Sequence, residues 1–510
     1  MSLASNAHGS PWTPVRRIFA TLAIFLALLL VIACGLLLRE IYATDLIATQ
    51  AINTTITGLN LDKNSGRNDA KKIDVLIDAS QVQRGAYLAK VGNCAACHTA
   101  RGGAAFAGGK AISTPFGTVY TSNITPDAAT GIGKWSADAF YRAMNEGRSA
   151  DGHLLTPAFP YSNYTHITRA DADDLYSYFM HGVAPVAQAN KPHDLPFPFN
   201  TQVALAFWRT LFFDKTVENT ANIQLKNTIN TIATQAINTP ASVLNEGVKT
   251  DDSEIQRGAY LVRGLGHCSA CHAERNALGA SVNNQFSDQL LGGALMPMRD
   301  WYAPSLVDPA EAGVAHLPRQ DVVALLKTGI APNATLLGPM AEVVAGSTQF
   351  WTDTDLNATA AYLQSLPPTS AQDGTKNSKK SSTSDKPKSA FNKPVLFDKG
   401  AELFTQHCAT CHGEQGQGMR VEGNVALPAL AGNRAITLTN TTNLVRILLA
   451  GGYAPSTVSN PRPFGMPPFV HVLNDEDVAA VTTYIRNAWG NQADSVTAAD
   501  VVRQRRGVIQ

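Results

Sequence analysis

Cys94-Ala95-Ala96-Cys97-His98, Cys268-Ser269-Ala270-Cys271-His272 and Cys408-Ala409-Thr410-Cys411-His412 repeat one pentapeptide pattern three times in a chain of 510 residues. Together they use six of its seven cysteines, and the seventh, Cys34, stands in an apolar run. Gln83-Arg84-Gly85-Ala86-Tyr87-Leu88 precedes the first string, Gln256-Arg257-Gly258-Ala259-Tyr260-Leu261 the second, and a looser Lys399-Gly400-Ala401-Glu402-Leu403-Phe404 the third. Such recurrence implies one folding unit copied along the chain, not a single large core. The repeated glycine reads as the opening of a short helix that carries each string.

Two thiols separated by two residues lie on one side of a helical turn. There they can add to the two vinyl groups of a heme, and the adjacent histidine then reaches the iron. A single string of this kind could equally be a zinc or thiol-redox site. Three, each opening a module of the size a small cytochrome needs, select three covalently bound hemes c. The expected attachment residues are Cys94, Cys97, Cys268, Cys271, Cys408 and Cys411, and the expected proximal iron ligands are His98, His272 and His412. His267 and His407, each directly before a cysteine, are expected to be surface or packing residues.

The sixth ligand decides whether an iron carries electrons or binds a substrate, and a methionine sulfur both fills the position and raises the reduction potential. In module three Met466 lies in the stiff stretch Phe464-Gly465-Met466-Pro467-Pro468-Phe469, whereas Met419 is too near its string. In module two Met340, in Gly338-Pro339-Met340-Ala341-Glu342, is preferred to Met296 and Met298, which leave little chain to wrap over the second heme face. Module one departs from the pattern. Its loop Thr156-Pro157-Ala158-Phe159-Pro160-Tyr161 carries Phe159, which cannot coordinate iron, so either His166 or His153 takes the place or the first iron is five-coordinate.

Each module closes with aromatic and aliphatic residues at three-to-four spacing, over residues 171–180, 353–366 and 475–489. Acidic residues at their starts suit the positive end of a helix. The expected fold class is therefore all-α, with three tandem cytochrome c-like heme domains after an N-terminal transmembrane helix. The helix is read from residues 18–38, which hold no charge and are flanked by Arg16 and Arg17 before and Arg39 and Glu40 after. About 20 apolar residues span the hydrocarbon core, more than a cleavable signal usually has. The two arginines favour N-terminus inside, which places everything after Leu38 on the other side of the membrane. A long signal peptide, or lipidation at Cys34 of Val31-Ile32-Ala33-Cys34, are the other readings of this segment.

The remainder divides into a connecting segment 41–80, domain one at 81–200, a second connecting segment with an insertion at 201–252, and domain two at 253–368. A flexible linker rich in Ser, Lys, Thr and Asp follows at 369–393, then domain three at 394–492 and a tail at 493–510. The octapeptide Ile-Ala-Thr-Gln-Ala-Ile-Asn-Thr occurs at both 47–54 and 232–239, with no chemistry attached to it. Lys+Arg 41 nearly balances Asp+Glu 40, for a net charge of +1, which argues against nucleic acid as a partner. The 45% of hydrophobic residues exclude a wholly disordered chain.

From about Gln83 onward the sequence resembles the triheme cytochrome c subunits of membrane-bound bacterial alcohol, gluconate and aldehyde dehydrogenase complexes. Three stretches carry the resemblance: Thr114-Pro115-Phe116-Gly117-Thr118-Val119-Tyr120 with Asn123-Ile124-Thr125-Pro126-Asp127; Trp301-Tyr302-Ala303-Pro304-Ser305-Leu306; and Ala341-Glu342-Val343-Val344 with Ser347-Thr348-Gln349. Met340 and Met466 fall on that family's axial-methionine positions. The resemblance implies that electrons leave a large catalytic subunit, pass along the hemes and reduce ubiquinone in the membrane. The implied partner carries pyrroloquinoline quinone, or is a molybdopterin subunit with an iron–sulfur small subunit. The Ala-Phe-Pro-Tyr loop around Phe159 is similar to cytochromes that resemble partners of molybdenum hydroxylases, which tilts the reading toward aldehyde oxidation. No acid–base or nucleophile motif stands out, so no catalytic residue is expected. The competing readings are a peroxidase-type enzyme with an open site on the first heme, and the cytochrome subunit of a terminal oxidase.

Overall fold

The computed structural model describes residues 35, 79–213, 252–282, 291–296, 300–332, 334–368, 393–421 and 424–509. Three pairs of crossing helices organise it. In module one, α1 (Ala79–Val91) packs on α2 (Arg169–Ser177). After α3 (Gln202–Phe212), α4 (Asp252–Tyr260) packs on α5 (Asp353–Ser365) in module two. In module three α6 (Lys393–His407) packs on α7 (Asp475–Ile485), and α8 (Ala498–Ile509) covers α7.

The repeated glycine explains why these pairs form. A Cβ at Gly85 would lie 1.9 Å from the Asp174 carbonyl oxygen, at Gly258 2.0 Å from that of Ala358, and at Gly400 2.3 Å from that of Ala480. Each glycine sits inside its helix at the point of closest approach, not at the helix opening, and the backbones meet there because no side chain intervenes. On the partner helix the Cβ of Tyr178, Tyr362 or Tyr484 flanks the same spot.

The second helix of each pair begins alike. Thr168, Thr352 and Asn474 cap α2, α5 and α7 by accepting from the backbone N–H of Asp171, Asp355 and Asp477. Asp477 returns the bond to the Asn474 backbone. These caps and N-terminal carboxylates are why the closing helices are readable in the sequence.

Module two has one more residue than module one between glycine and string. A π-helical turn, Leu261–Leu265, absorbs it, with Gly264 at φ −92°, ψ −107°.

Modules one and two share a core in which Leu88, Leu175 and Phe179 meet Leu261, Leu265 and Leu356. Their association is reciprocal. The Tyr87 hydroxyl donates to Asp355 Oδ2 at 2.5 Å and accepts from Thr352 N at 3.2 Å; the Tyr260 hydroxyl donates to Asp171 and accepts from Thr168 N at 3.3 Å. The two modules thus face each other about a pseudo-twofold axis, each tyrosine capping the other module's helix. Module three has its own core around Phe404, Leu449 and Val478, and its helix Thr442–Ala450 touches the strand Trp301–Ala303 of module two. There the Asn443 side chain exchanges hydrogen bonds with the Tyr302 backbone, at 2.8 and 2.7 Å.

The expected fold class needs two corrections. Among the described residues no helix is long and apolar enough to cross a membrane. The 15-residue α6 falls short of the roughly 20 residues a span needs. The expected N-terminal transmembrane helix is therefore not supported by the described residues, and residues 18–38, Gly35 apart, lie outside them, as do both octapeptides and nearly all of the linker. Nor are the described residues purely helical, since five two-stranded antiparallel pairings among them interrupt the helices. Strands of two to four residues, such as Ala111–Thr114 with Gly117–Tyr120, are too short to leave a readable alternation.

Candidate heme sites

Each string forms a single helical turn directly after the first helix of its pair: Cys94–His98, Ser269–His272 and Ala409–His412. The three imidazoles are held in the same way. Nδ1 lies 2.7 Å from the Ser122 carbonyl in His98, 2.7 Å from the Pro304 carbonyl in His272, and 3.0 Å from the Pro428 carbonyl in His412. A carbonyl can only accept, so Nδ1 carries the proton and Nε2 keeps its lone pair. Burial, the largest influence, also lowers all three pKa values, against the opposing pull of those carbonyls. The imidazoles are neutral, with fixed orientation.

All six cysteines are free thiols. Burial, with a smaller contribution from the second cysteine, pushes the first thiol of each string up, to about 12 at Cys94 and Cys268 and to about 11 at Cys408. A thiol-redox site needs the opposite, a thiolate at neutral pH. Among the described residues, moreover, no group of three or more His, Cys, Asp or Glu side chains could hold a metal ion. Two thiols beside one oriented imidazole suit a porphyrin that forms thioethers and brings its own iron. Cys94, Cys97, Cys268, Cys271, Cys408 and Cys411, with His98, His272 and His412, could hold three such groups.

On the distal side the modules diverge. Met466 shares a cavity with Cys408, Cys411 and His412. It belongs to a two-residue strand, Gly465–Met466, paired with Gly452–Tyr453. A Cβ at Gly451, where φ is +70°, would lie 2.4 Å from the Met466 carbonyl oxygen, so a glycine is needed to seat this loop. Ile330 and Leu337 of module two close the same cavity, which brings the second and third sites together. His407 lines it as well, its ring 6.0 Å from that of Phe469.

Met340 sits at the start of the helix Pro339–Gly346. Met296 ends strand Ala294–Met296, which pairs with Trp301–Ala303 just before the carbonyl that orients His272. Met298 lies outside the described residues, and Met419 is an exposed residue at the start of a hairpin.

In module one, Phe159 packs against Tyr164, with ring centroids 5.3 Å apart, at the edge of the shared core. Burial and then the neighbouring Cys94 and Cys97 raise the Tyr164 phenol well above its usual pKa, so this aromatic pair stands beside the first string. His153 belongs instead to a polar turn, with Nδ1 2.5 Å from Asp151 Oδ1 and 2.8 Å from Ser149 Oγ. His166 faces Gly264 of module two, and burial together with the Arg263 charge pushes it down to about 4.

The sequence reading missed the contact between the first two strings. His267 Nε2 lies 3.2 Å from the Gly92 carbonyl, two residues before Cys94, and its ring packs on Tyr164 at 5.9 Å. The available signal was the residue type before each string: Asn93 (φ 50°) and His267 (φ 38°) both adopt the left-handed region that asparagine and histidine tolerate better than most.

A cytochrome c family model matches residues 82–182 and 397–489. The middle module, outside both spans, repeats their helix pair and string. Over 437 residues the chain is 38% identical to the cytochrome c subunit of alcohol dehydrogenase (quinone) from Gluconacetobacter polyoxogenes, covering 84% of this chain and 85% of that protein. It is 36% identical over 432 residues to the gluconate 2-dehydrogenase cytochrome c subunit of Pantoea cypripedii, covering 83% and 89%. It is 33% identical over 447 residues to the fructose dehydrogenase cytochrome subunit of Gluconobacter japonicus, covering 83% and 82%.

Proposed function

The chain belongs to the family of cytochrome c subunits of alcohol, gluconate and fructose dehydrogenase complexes, and on that premise we propose that it carries three covalent hemes c and passes electrons from a catalytic dehydrogenase subunit to ubiquinone. An electron-transfer subunit of this family works beside a catalytic partner. In the proposed assignment Cys94, Cys97, Cys268, Cys271, Cys408 and Cys411 form the thioethers, and His98, His272 and His412 bind iron through Nε2. Met340 and Met466 complete the second and third irons. The heme supplies reversible one-electron chemistry at each site.

This chain's residues orient the imidazoles and set the spacing of the three sites. The observation that carries the reading is the threefold recurrence of one arrangement: a glycine helix crossing, a string on the following turn, and a histidine Nδ1 tied to a backbone carbonyl. The partner is proposed to oxidise an alcohol or aldehyde on the periplasmic side, with pyrroloquinoline quinone or molybdopterin as its cofactor. Support for a quinone acceptor comes from the "(quinone)" in the name of the alcohol dehydrogenase relatives.

The test is direct. Denatured protein extracted with acidified acetone should keep its colour and weigh three hemes more than the bare polypeptide, and the native complex should bleach oxidised heme to the reduced spectrum on adding the dehydrogenase substrate. A mass lacking the hemes would end the proposal. Phe159 favours one second reading, a peroxidase-type site at the first iron. Turnover of peroxide there, in place of mere cyanide binding, would select it.

A further inference from the structure

A cavity of about 1120 Å³ opens where modules one and two meet. One wall is Pro157 and Ala158, from the loop that carries Phe159. Opposite stand Ser269 and Ala270, the two residues between Cys268 and Cys271. Helix α3 supplies a third side through Ala204 and Trp208. Val203, Phe207 and Leu211, at four-residue spacing on this helix, are each more than half exposed among the described residues and extend the apolar surface outward from the mouth. None of these groups is explained by packing within a cytochrome module, and the cavity is larger than a water-filled defect needs.

We propose that this cavity seats an isoprenoid quinone, its ring between the first heme's distal loop and the second heme's attachment string and its chain along the apolar face of α3. The inference rests on the electron-carrying reading above and adds to it the place where electrons leave. A quinone needs two electrons, and hemes give one each; a seat between the first site's distal loop and the second site's string adjoins two proposed heme sites and provides both without a second docking event. In the balanced step the quinone becomes hydroquinone, two ferrous irons become ferric, and two protons reach the former carbonyl oxygens from water at the open mouth.

The polar groups in the wall fit the task. Ser269 Oγ accepts from Asn163 Nδ2 at 2.7 Å and keeps its own proton to donate to a quinone carbonyl. Arg275 is fixed by bonds to the Gly279 and Ala270 carbonyls, at 2.7 and 2.9 Å, and its charge favours electron density arriving on the ring.

The experiment uses the complete heme-loaded complex and a short-chain quinone bearing a photoactivatable azide. Illumination followed by peptide mapping should place the label on residues 195–212 and 269–281, and unlabelled ubiquinone should compete it away. Ala204→Trp, which fills the cavity, should raise the KM for short-chain quinone about tenfold, the equivalent of ~1.4 kcal/mol of lost binding, while substrate-driven reduction of ferricyanide continues. Phe207→Ser, a surface change the fold tolerates, should shift the same KM in the same direction. Label found only elsewhere, or quinone kinetics unchanged in both variants, would overturn the cavity assignment. Hemes that the dehydrogenase substrate cannot reduce would overturn the underlying reading instead.

Discussion

Modules one and three are built on the same crossing yet differ where an iron would meet its sixth ligand. Gly85 and Gly400 put two helix backbones in contact, and His98 and His412 each turn Nδ1 onto a carbonyl. On the far side module three offers Met466 in a cavity with its string, whereas module one offers Phe159 packed at a tilt against Tyr164. The shared half is set by backbone contacts that tolerate no side chain. The variable half is a loop, free to change chemistry without disturbing the crossing. In the proposed assignment the scaffold fixes where electrons travel, and the distal loop sets at what potential.

The largest effect should come from attacking the shared half. Gly400→Val places atoms where the Ala480 carbonyl already sits, so module three should lose about 4 kcal/mol or more. Mass spectrometry should then find one heme fewer, and Gly85→Val should do the same to module one. A smaller change should convert one distal half into the other. Met466→Phe gives module three the loop chemistry of module one, and its reduction potential should fall by on the order of 100 mV as the thioether is lost. Potentiometric titration reads the shift, and a potential left in place would remove Met466 from the iron.

The strings and closing helices were legible because their signals are local: five residues for each site, and an acidic start with periodic apolar residues for α2, α5 and α7. The glycine echo was visible, but its meaning was not, since a helix crossing involves Asp174, Ala358 and Ala480 at far-off positions. The same limit hid the pairing of modules one and two. Its trace was present all along in one letter of the echo: Tyr87 and Tyr260 stand where module three has Glu402. Each tyrosine caps a helix of the other module, and module three, lacking one, joins module two through other contacts, such as Asn443 with Tyr302.

That pairing invites the next substitution. Tyr87→Phe or Tyr260→Phe removes a hydrogen bond to a carboxylate, at a cost of about 1.5 kcal/mol each. Because both sit in one interface, the double variant should lose more or less than the sum, and a double-mutant cycle by thermal melting measures the difference. Strict additivity would mean that the two contacts do not act as a unit.

Acid should expose the same contrast most gently. Burial by itself would raise the Asp355 pKa, but hydrogen bonds from Arg257 and Tyr87, with the Arg257 charge, outweigh it and hold the carboxyl below its ordinary value of about 4. A carboxylate depressed in the folded state binds fewer protons than in the unfolded chain. Its stabilisation is therefore full above the unfolded pKa and disappears as pH falls through the folded one. Since Tyr87 belongs to module one, protonating Asp355 weakens the join between modules. Asp477 is depressed too, its burial outweighed chiefly by Lys399, but both partners lie within module three. Asp355→Asn should thus flatten the acid dependence of coupling between modules one and two below about pH 4, whereas Asp477→Asn should leave that coupling unchanged. Thermal melts from pH 6 to pH 3 on the heme-loaded protein read both, and an identical acid response in the two variants would mean the tyrosine join does not depend on the ionised Asp355.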